Sequence, residues 1–300
     1  MGLNQWYVLW MIGVFNLLVV SQAQAENCPE HYWQGQTPVI SKPAMQKKIR
    51  PLCFNGFAVM HSGVTRTPLW AAHHLTATEI KSARELDRQD SFRAEDRIPA
   101  KERAELSDYR GSGYDRGHLV PNGDMASREQ QYDSFSLANM MPQSPNNNRV
   151  VWNNLEQALR GLVLQEQEAY VVTGGAFIGQ RLARIGQNGV LVPSDTFKAV
   201  YFPKRQAASV YWAPNDESGR VEVISVAELD RRLGIQVFPN LSATIRQKKI
   251  DLPLSTAGQP REPRRQSPSE SVPAEDNSGP NWLQLLISLL QALIQLFTGK

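Results

Sequence analysis

Between Ser255 and Pro280 the chain holds mostly Pro, Ser, Arg and Glu and almost no large apolar residue. Such a stretch cannot bury enough surface to offset the entropy of ordering it. It therefore predicts a flexible linker over residues 255–280 and confines a packed body to what precedes Leu254. At the other end, an apolar run from Trp6 to Val20 leads into Ser21-Gln22-Ala23-Gln24-Ala25. That small-residue ending predicts a signal peptide over residues 1–25, cleaved before Glu26, and hence export to a periplasm or to the medium. No Lys or Arg precedes the apolar run, so an uncleaved N-terminal anchor is the competing expectation. Residues 26–254 are enough for one domain with a sizeable core. The 41% hydrophobic content excludes a wholly disordered chain, and a net charge of +3 permits nucleic-acid binding without arguing for it.

Export bears on the two cysteines. An oxidising compartment favours pairing, Cys28 and Cys53 are the only candidates, and a Cys28–Cys53 disulfide is expected. Beyond the linker, Asn281 to Phe297 carries no charge, and its polar members Gln284, Ser288, Gln291 and Gln295 fall on one narrow stripe of a helix. This hydrophobic C-terminal helix, residues 281–300, is too apolar to stand alone in water and slightly short for a membrane span. Three fates stay open: membrane association, self-association through residues 282–297 as in a homodimer, and docking on its own domain.

Within the body, β-branched and aromatic runs predict strands at 52–60 and 69–75, joined as a hairpin around Ser62-Gly63, and at 169–173, 189–193, 197–202 and 208–212, completing the same sheet. Apolar residues at Val151, Trp152, Leu155, Leu159, Leu162 and Val163 give the spacing of an amphipathic helix over 150–163. A last helix, 226–233, should stop at Gly234.

Residues 115–118 read Asp-Arg-Gly-His between glycines and a proline. A solvated loop is the plain reading of such a stretch. As chemistry, His118 can accept a proton near neutral pH, Arg116 can grip a phosphate through two parallel hydrogen bonds, and Asp115 can orient a neighbour. That set serves phosphodiester hydrolysis if a hard cation lies close, and an amide oxygen such as that of Asn148 could hold one. Asn148 also reads as an N-cap of the following helix, and Glu156 as either a holder of cation-bound water or a solvated helix charge.

Tyr114 to Met125, followed by Ser134 to Gln157, resembles the DNA/RNA non-specific endonucleases of the ββα-metal, or His-Me finger, class. The likeness rests on the Asp-Arg-Gly-His element, on Leu137-x-Asn139-x-x-Pro142-Gln143, and on Asn148, Trp152, Leu155 and Glu156 at the family's spacing. Weaker echoes reach across most of residues 53–240, including Val172-Thr173-Gly174 and Phe197-Lys198. The resemblance implies an α+β fold with a mixed, mostly antiparallel sheet and a ββα-metal finger. It implies that His118 is the general base, that Asn148 binds Mg²⁺ directly, with Mn²⁺ as a substitute, and that Glu156 binds it through water. Asn139 would line the site and position His118 or the water, and Arg116 would support the phosphate. An upstream arginine, Arg88 or Arg93, would bind substrate and stabilise the transition state, with Arg88 preferred. DNA and RNA are the implied partners, cut to 5′-phosphate and 3′-hydroxyl ends.

A rival reading is a catalytically inactive nuclease fold acting as an exported nucleic-acid-binding or membrane-associated module. The intact His118, Asn148 and Glu156 speak against it. His73 and His74 are adjacent, so in a strand they face opposite sides and are read as structural. His31 and His61 have no partner that the sequence identifies, and no Cys/His spacing suits zinc.

Overall fold

The computed structural model describes residues 28–255. The signal over residues 1–25, the linker beyond Ser255 and the apolar segment 281–300 lie outside the described residues. Nine strands and four helices organise the site. The strands are β1 (Ile49–Cys53), β2 (Ala58–Ser62), β3 (Thr67–Thr76), β4 (Asp115–His118), β5 (Met140–Gln143), β6 (Glu168–Ala176), β7 (Asp195–Phe202), β8 (Ala207–Pro214) and β9 (Glu222–Ile224). The helices are α1 (Ala77–Arg84), α2 (Arg128–Ser134), α3 (Asn153–Glu166) and α4 (Val226–Leu233).

Seven strands form one antiparallel sheet in the order β9-β8-β7-β6-β3-β2-β1. Its central strands are buried on both faces, which fits their near-continuous apolar sequence. On one face Trp70, Phe197, Tyr201, Val210 and Trp212 pack with Val226, Leu229 and Leu233 of α4. On the other, Leu75, Val171, Val200 and Tyr211 pack with Trp152, Leu155, Leu159 and Val163. That second face also carries the β4-β5 ribbon, through Val59 and Ala71 against Leu119, Val120 and Met141. The sheet is thus the floor on which β4 and α3 meet.

Local chemistry explains the helix ends. Thr76 and Glu79 cap α1 reciprocally, Ser127 caps α2 through Gln130 N, and Ser225 caps α4 through Glu228 N. Helix α4 stops where expected, with Gly234 in the left-handed region at φ 72°.

Three expectations need correction. The run 52–60 is two strands, because the chain reverses at 54–57, where Phe54 N donates to Phe57 O at 2.9 Å and the two rings stack 4.6 Å apart. The run 189–193 does not join the sheet: Val190–Leu191 pairs with Arg184–Ile185 in a separate ribbon. The helix predicted over 150–163 begins as a π-helical turn, Asn147–Trp152, before α3. Asn148 sits inside that turn and makes no cap hydrogen bond, so its N-cap reading falls.

Cys28 and Cys53 are disulfide-bonded across 25 residues, tying the N-terminal arm to the end of β1. By restricting the unfolded chain, a loop of that size contributes about 3 kcal/mol. Cys28→Ser/Cys53→Ser is expected to lower the unfolding free energy by that amount in urea titrations, and an unchanged midpoint would count against it.

Candidate active site

The Asp-Arg-Gly-His stretch is a strand, not a loop. It pairs with β5 in the register Asp115 to Gln143 and His118 to Met140. Alternation along a strand then divides the motif between two faces. Asp115 and Gly117 turn toward the chain that leads into α3. Gly117 is required by packing: a Cβ there would come within 2.6 Å of the Gln143 Cβ. Gln143 is buried, donates to Asn147 Oδ1 and leaves its Oε1 without a partner.

Asp115 accepts hydrogen bonds from Asn148 Nδ2 at 3.0 Å and from Arg149 through Nε at 2.8 Å and Nη2 at 2.6 Å. The π turn makes this reach possible, because its wider backbone sets Asn148 and Arg149 against one carboxylate. π turns of this kind recur at functional sites. Since its NH₂ group is held by Asp115, Asn148 directs its carbonyl oxygen away from the carboxylate, available as a ligand.

Arg116 and His118 share the opposite face. The Arg116 guanidinium lies 3.9 Å over the Phe92 ring, and the His118 ring packs 5.9 Å from Phe92 and 5.4 Å from Phe135, edge-on to the latter. His118 Nε2 is sealed from solvent and has no hydrogen-bond partner. Burial, reinforced by the positive charges of Arg88 and Arg116, pushes the imidazole down to about 3, so it is neutral across the ordinary pH range.

The two upstream arginines are both ion-paired, Arg88 to Asp90 at 2.6 Å, and differ in what else they face. Arg88 stands 5.2 Å from the Phe135 ring centre, and its charge acts on both His118 and Glu156. Arg93 points elsewhere, stacked 3.5 Å over Tyr132, bonded to the Tyr132 carbonyl and 3.6 Å from Asp133. Asn139 is fully buried and spends its amide on backbone: Oδ1 accepts from Val120 N at 3.0 Å, and Nδ2 donates to Val120 O and Ser134 O. It holds the chain just after His118 and has no donor left for water.

Glu156 is not a solvated helix charge. Its side chain is 15% exposed and lies 3.9 Å from Lys198 Nζ. Burial raises it to about 7 against the pull of Lys198, Arg160 and Arg88, and nearby Asp124 raises it further. One helical turn on, Arg160 donates to Asp124 Oδ1 at 2.9 Å, and Asp124 Oδ2 meets His73 Nε2 at 3.2 Å. His73 is therefore a buried structural partner, while His74 faces the other way onto Glu168 at 2.9 Å. His31 and His61 each meet a backbone carbonyl, of Phe54 and Glu102. Arg160 escaped the sequence reading and Lys198 entered it only as part of the Phe197-Lys198 echo, without a role, yet each carried a signal: a cation four residues after Glu156 on one helix face, and a lone charge inside an apolar strand.

Among the described residues no group of three or more His, Cys, Asp or Glu side chains could hold a metal ion. The donors present, one amide oxygen and one carboxylate, fit a hard cation that keeps most of its waters.

The chain matches the family model "DNA/RNA non-specific endonuclease" over residues 36–244. It is 33% identical over 238 residues to a protein named nuclease from Nostoc, covering 72% of this chain and 83% of that one. It is 34% identical over 201 residues to human mitochondrial endonuclease G, covering 60% of this chain and 66% of that one. A crystal structure of an EndoG/EndoGI complex, described as showing the mechanism of EndoG inhibition, superposes with a TM-score of 0.62 at 25% identity, covering 67% of this chain and 92% of that one.

Proposed function

Because the chain belongs to the DNA/RNA non-specific endonuclease family, we propose that it is an exported, metal-dependent nuclease that hydrolyses DNA and RNA, with His118 as general base. The observation that carries this reading is geometric: His118 and Arg116 share one face of β4, with Arg88 over the Phe135 ring that His118 meets, while Asp115 on the other face holds Asn148 by its amide nitrogen. With Nε2 sealed from solvent, Nδ1 is the nitrogen left to take a proton.

A base pushed to about 3 is too weak to be efficient near neutrality. A bound phosphate acts against that: burial is the larger cause of the shift, but the negative charge offsets the two arginines and so raises the imidazole. His118 then takes a proton from water as the water oxygen attacks phosphorus. The bond to the 3′ oxygen breaks, and that oxygen takes a proton from solvent, leaving 5′-phosphate and 3′-hydroxyl ends. Arg88 and Arg116 hold the non-bridging oxygens. Asn148 would hold Mg²⁺, or Mn²⁺ in its place, directly and Glu156 would hold it through water; the cation supplies charge neutralisation at the phosphate and the leaving oxygen. Residues that grip the backbone read no base edge, which supports action on both DNA and RNA.

Export to a periplasm or the medium belongs to the same reading and is supported by the Cys28–Cys53 disulfide. Membrane contact or self-association through residues 282–297 would add to this chemistry without altering it.

The arginines give a direct contrast. Arg88→Ala is expected to lower kcat by about 10²-fold, the scale for one lost transition-state donor, and Arg93→Ala by no more than a few fold. Equal losses in oligonucleotide kinetics would contradict the assignment. The function itself is tested on supercoiled plasmid and single-stranded RNA with Mg²⁺ or with a chelator. Both substrates should be cut with Mg²⁺ and neither with the chelator; cleavage undiminished by chelator, or none with any divalent cation, would overturn the reading.

A further inference from the structure

Lys198 is a buried charge that the mechanism above leaves unused. It sits in β7 between Phe197 and Ala199 with 1% of its surface exposed. An ammonium group survives in such a place only when its charge is matched and its hydrogens are accepted. The acceptors are informative. Lys198 Nζ donates to Thr173 Oγ1 at 2.9 Å and to the Leu119 carbonyl at 3.3 Å, and it stands 3.9 Å from Glu156 Oε1 and 5.7 Å from the centre of the Trp152 ring. Leu119 directly follows His118, and Glu156 projects from α3, so one ammonium touches both halves of the site from the sheet beneath them. Asn139 secures the same short segment from the other side through Val120.

Resting on the endonuclease reading, we propose that Lys198 is a positioning residue for phosphodiester hydrolysis, fixing the chain behind His118 and the Glu156 carboxylate relative to each other. At 1% exposure it cannot reach a nucleic acid, so its contribution passes through those two groups. A merely structural lysine would show itself in stability alone. A positioning lysine shows itself in kcat at unchanged KM, because substrate binding by Arg88 and Arg116 is untouched while the reacting groups lose their alignment. It also depends on Glu156: once the carboxylate has gone, Lys198 keeps only the Leu119 carbonyl to hold, so its effect shrinks without vanishing.

The test compares wild type, Lys198→Met, Glu156→Gln and Lys198→Met/Glu156→Gln in steady-state cleavage of a fluorescent oligonucleotide at saturating Mg²⁺, with thermal unfolding of each protein alongside. Methionine fills the space without the charge but leaves Glu156 without its partner, a change that costs stability, whereas the double variant leaves no buried charge unpaired. Expected are a kcat about 10²-fold below wild type for Lys198→Met, the cost typical of a small misplacement of reacting groups, with KM unchanged. The double variant should be slower than Glu156→Gln alone, but by less than that factor. If Lys198→Met alone does not fold, the double variant carries the comparison, since it leaves no unpaired buried charge. Wild-type kcat in Lys198→Met, a loss confined to KM, or a double variant either no slower than Glu156→Gln or slower by the full Lys198 factor would each overturn the inference. Those results leave the endonuclease reading standing, whereas a wild-type protein that does not cut overturns that reading first.

Discussion

His118→Ala is expected to cut plasmid DNA about 10² to 10⁴ times more slowly than wild type at saturating Mg²⁺, the range general-base catalysis contributes, with KM within a factor of about two. The separation of kcat from KM follows from where the ring lies. Its neighbours on the same face, Arg116 over Phe92 and Arg88 over Phe135, are the residues proposed to hold the phosphate and are not altered by the substitution. A loss in KM of similar size would mean that His118 binds substrate and does not move a proton. Oligonucleotide kinetics at several substrate concentrations decide between these outcomes.

The second large effect is acid sensitivity. In the unfolded chain each imidazole takes up a proton near pH 6.5, whereas burial holds His118 down to about 3 and His61 to about 4, and lowers His31. As pH falls from 6.5 the unfolded chain therefore binds more protons, and unfolding becomes easier. Glu156 acts in the opposite sense: raised to about 7, it favours the folded protein below its unfolded value of 4.5 and loses that contribution as pH rises through 7. Three histidines outweigh one carboxyl between pH 6.5 and 4.5, so stability is expected to fall across that window. For His118 alone, the linkage amounts to about 2 kcal/mol between pH 7 and pH 5. Urea titrations at those two pH values should show a gap smaller by that amount in His118→Ala. An unchanged gap would mean that His118 is not held neutral by its surroundings.

How far the sequence could be read follows from the range of the forces involved. Helix α4 was legible to the residue, because Ser225, the apolar spacing of Val226, Leu229 and Leu233, and a terminal Gly234 all act within eight positions. Strands β7 and β8 were legible because their apolar runs are nearly continuous. The break between β1 and β2 was not, since Phe54 and Phe57 are themselves good strand residues, and only their stacking and the Phe54–Phe57 hydrogen bond turn the chain. The separate ribbon at 184–191 was missed for a similar reason: Val190–Leu191 has strand composition, and nothing local says which sheet it joins.

For the site, spacing carried the information. Asp115, His118, Asn148 and Glu156 announced themselves by residue type and interval, but what each one faces depends on the fold. Whether Arg88 or Arg93 reaches the imidazole turns on Tyr132, which captures Arg93. That Asn148 is oriented by Asp115 depends on a π turn that propensity does not register. Lys198 meets Glu156 across 42 positions, a pairing visible only once α3 lies on the sheet.

The claim most in need of a direct test is that the imidazole at position 118 is the group that removes the proton. Adding free imidazole to His118→Ala, in the presence of Mg²⁺, supplies that base from solution. Cleavage should rise with the concentration of the unprotonated form and follow its titration near pH 7, while wild type stays indifferent. A variant that remains equally slow at every imidazole concentration, or that is stimulated as strongly by the protonated form, would contradict it.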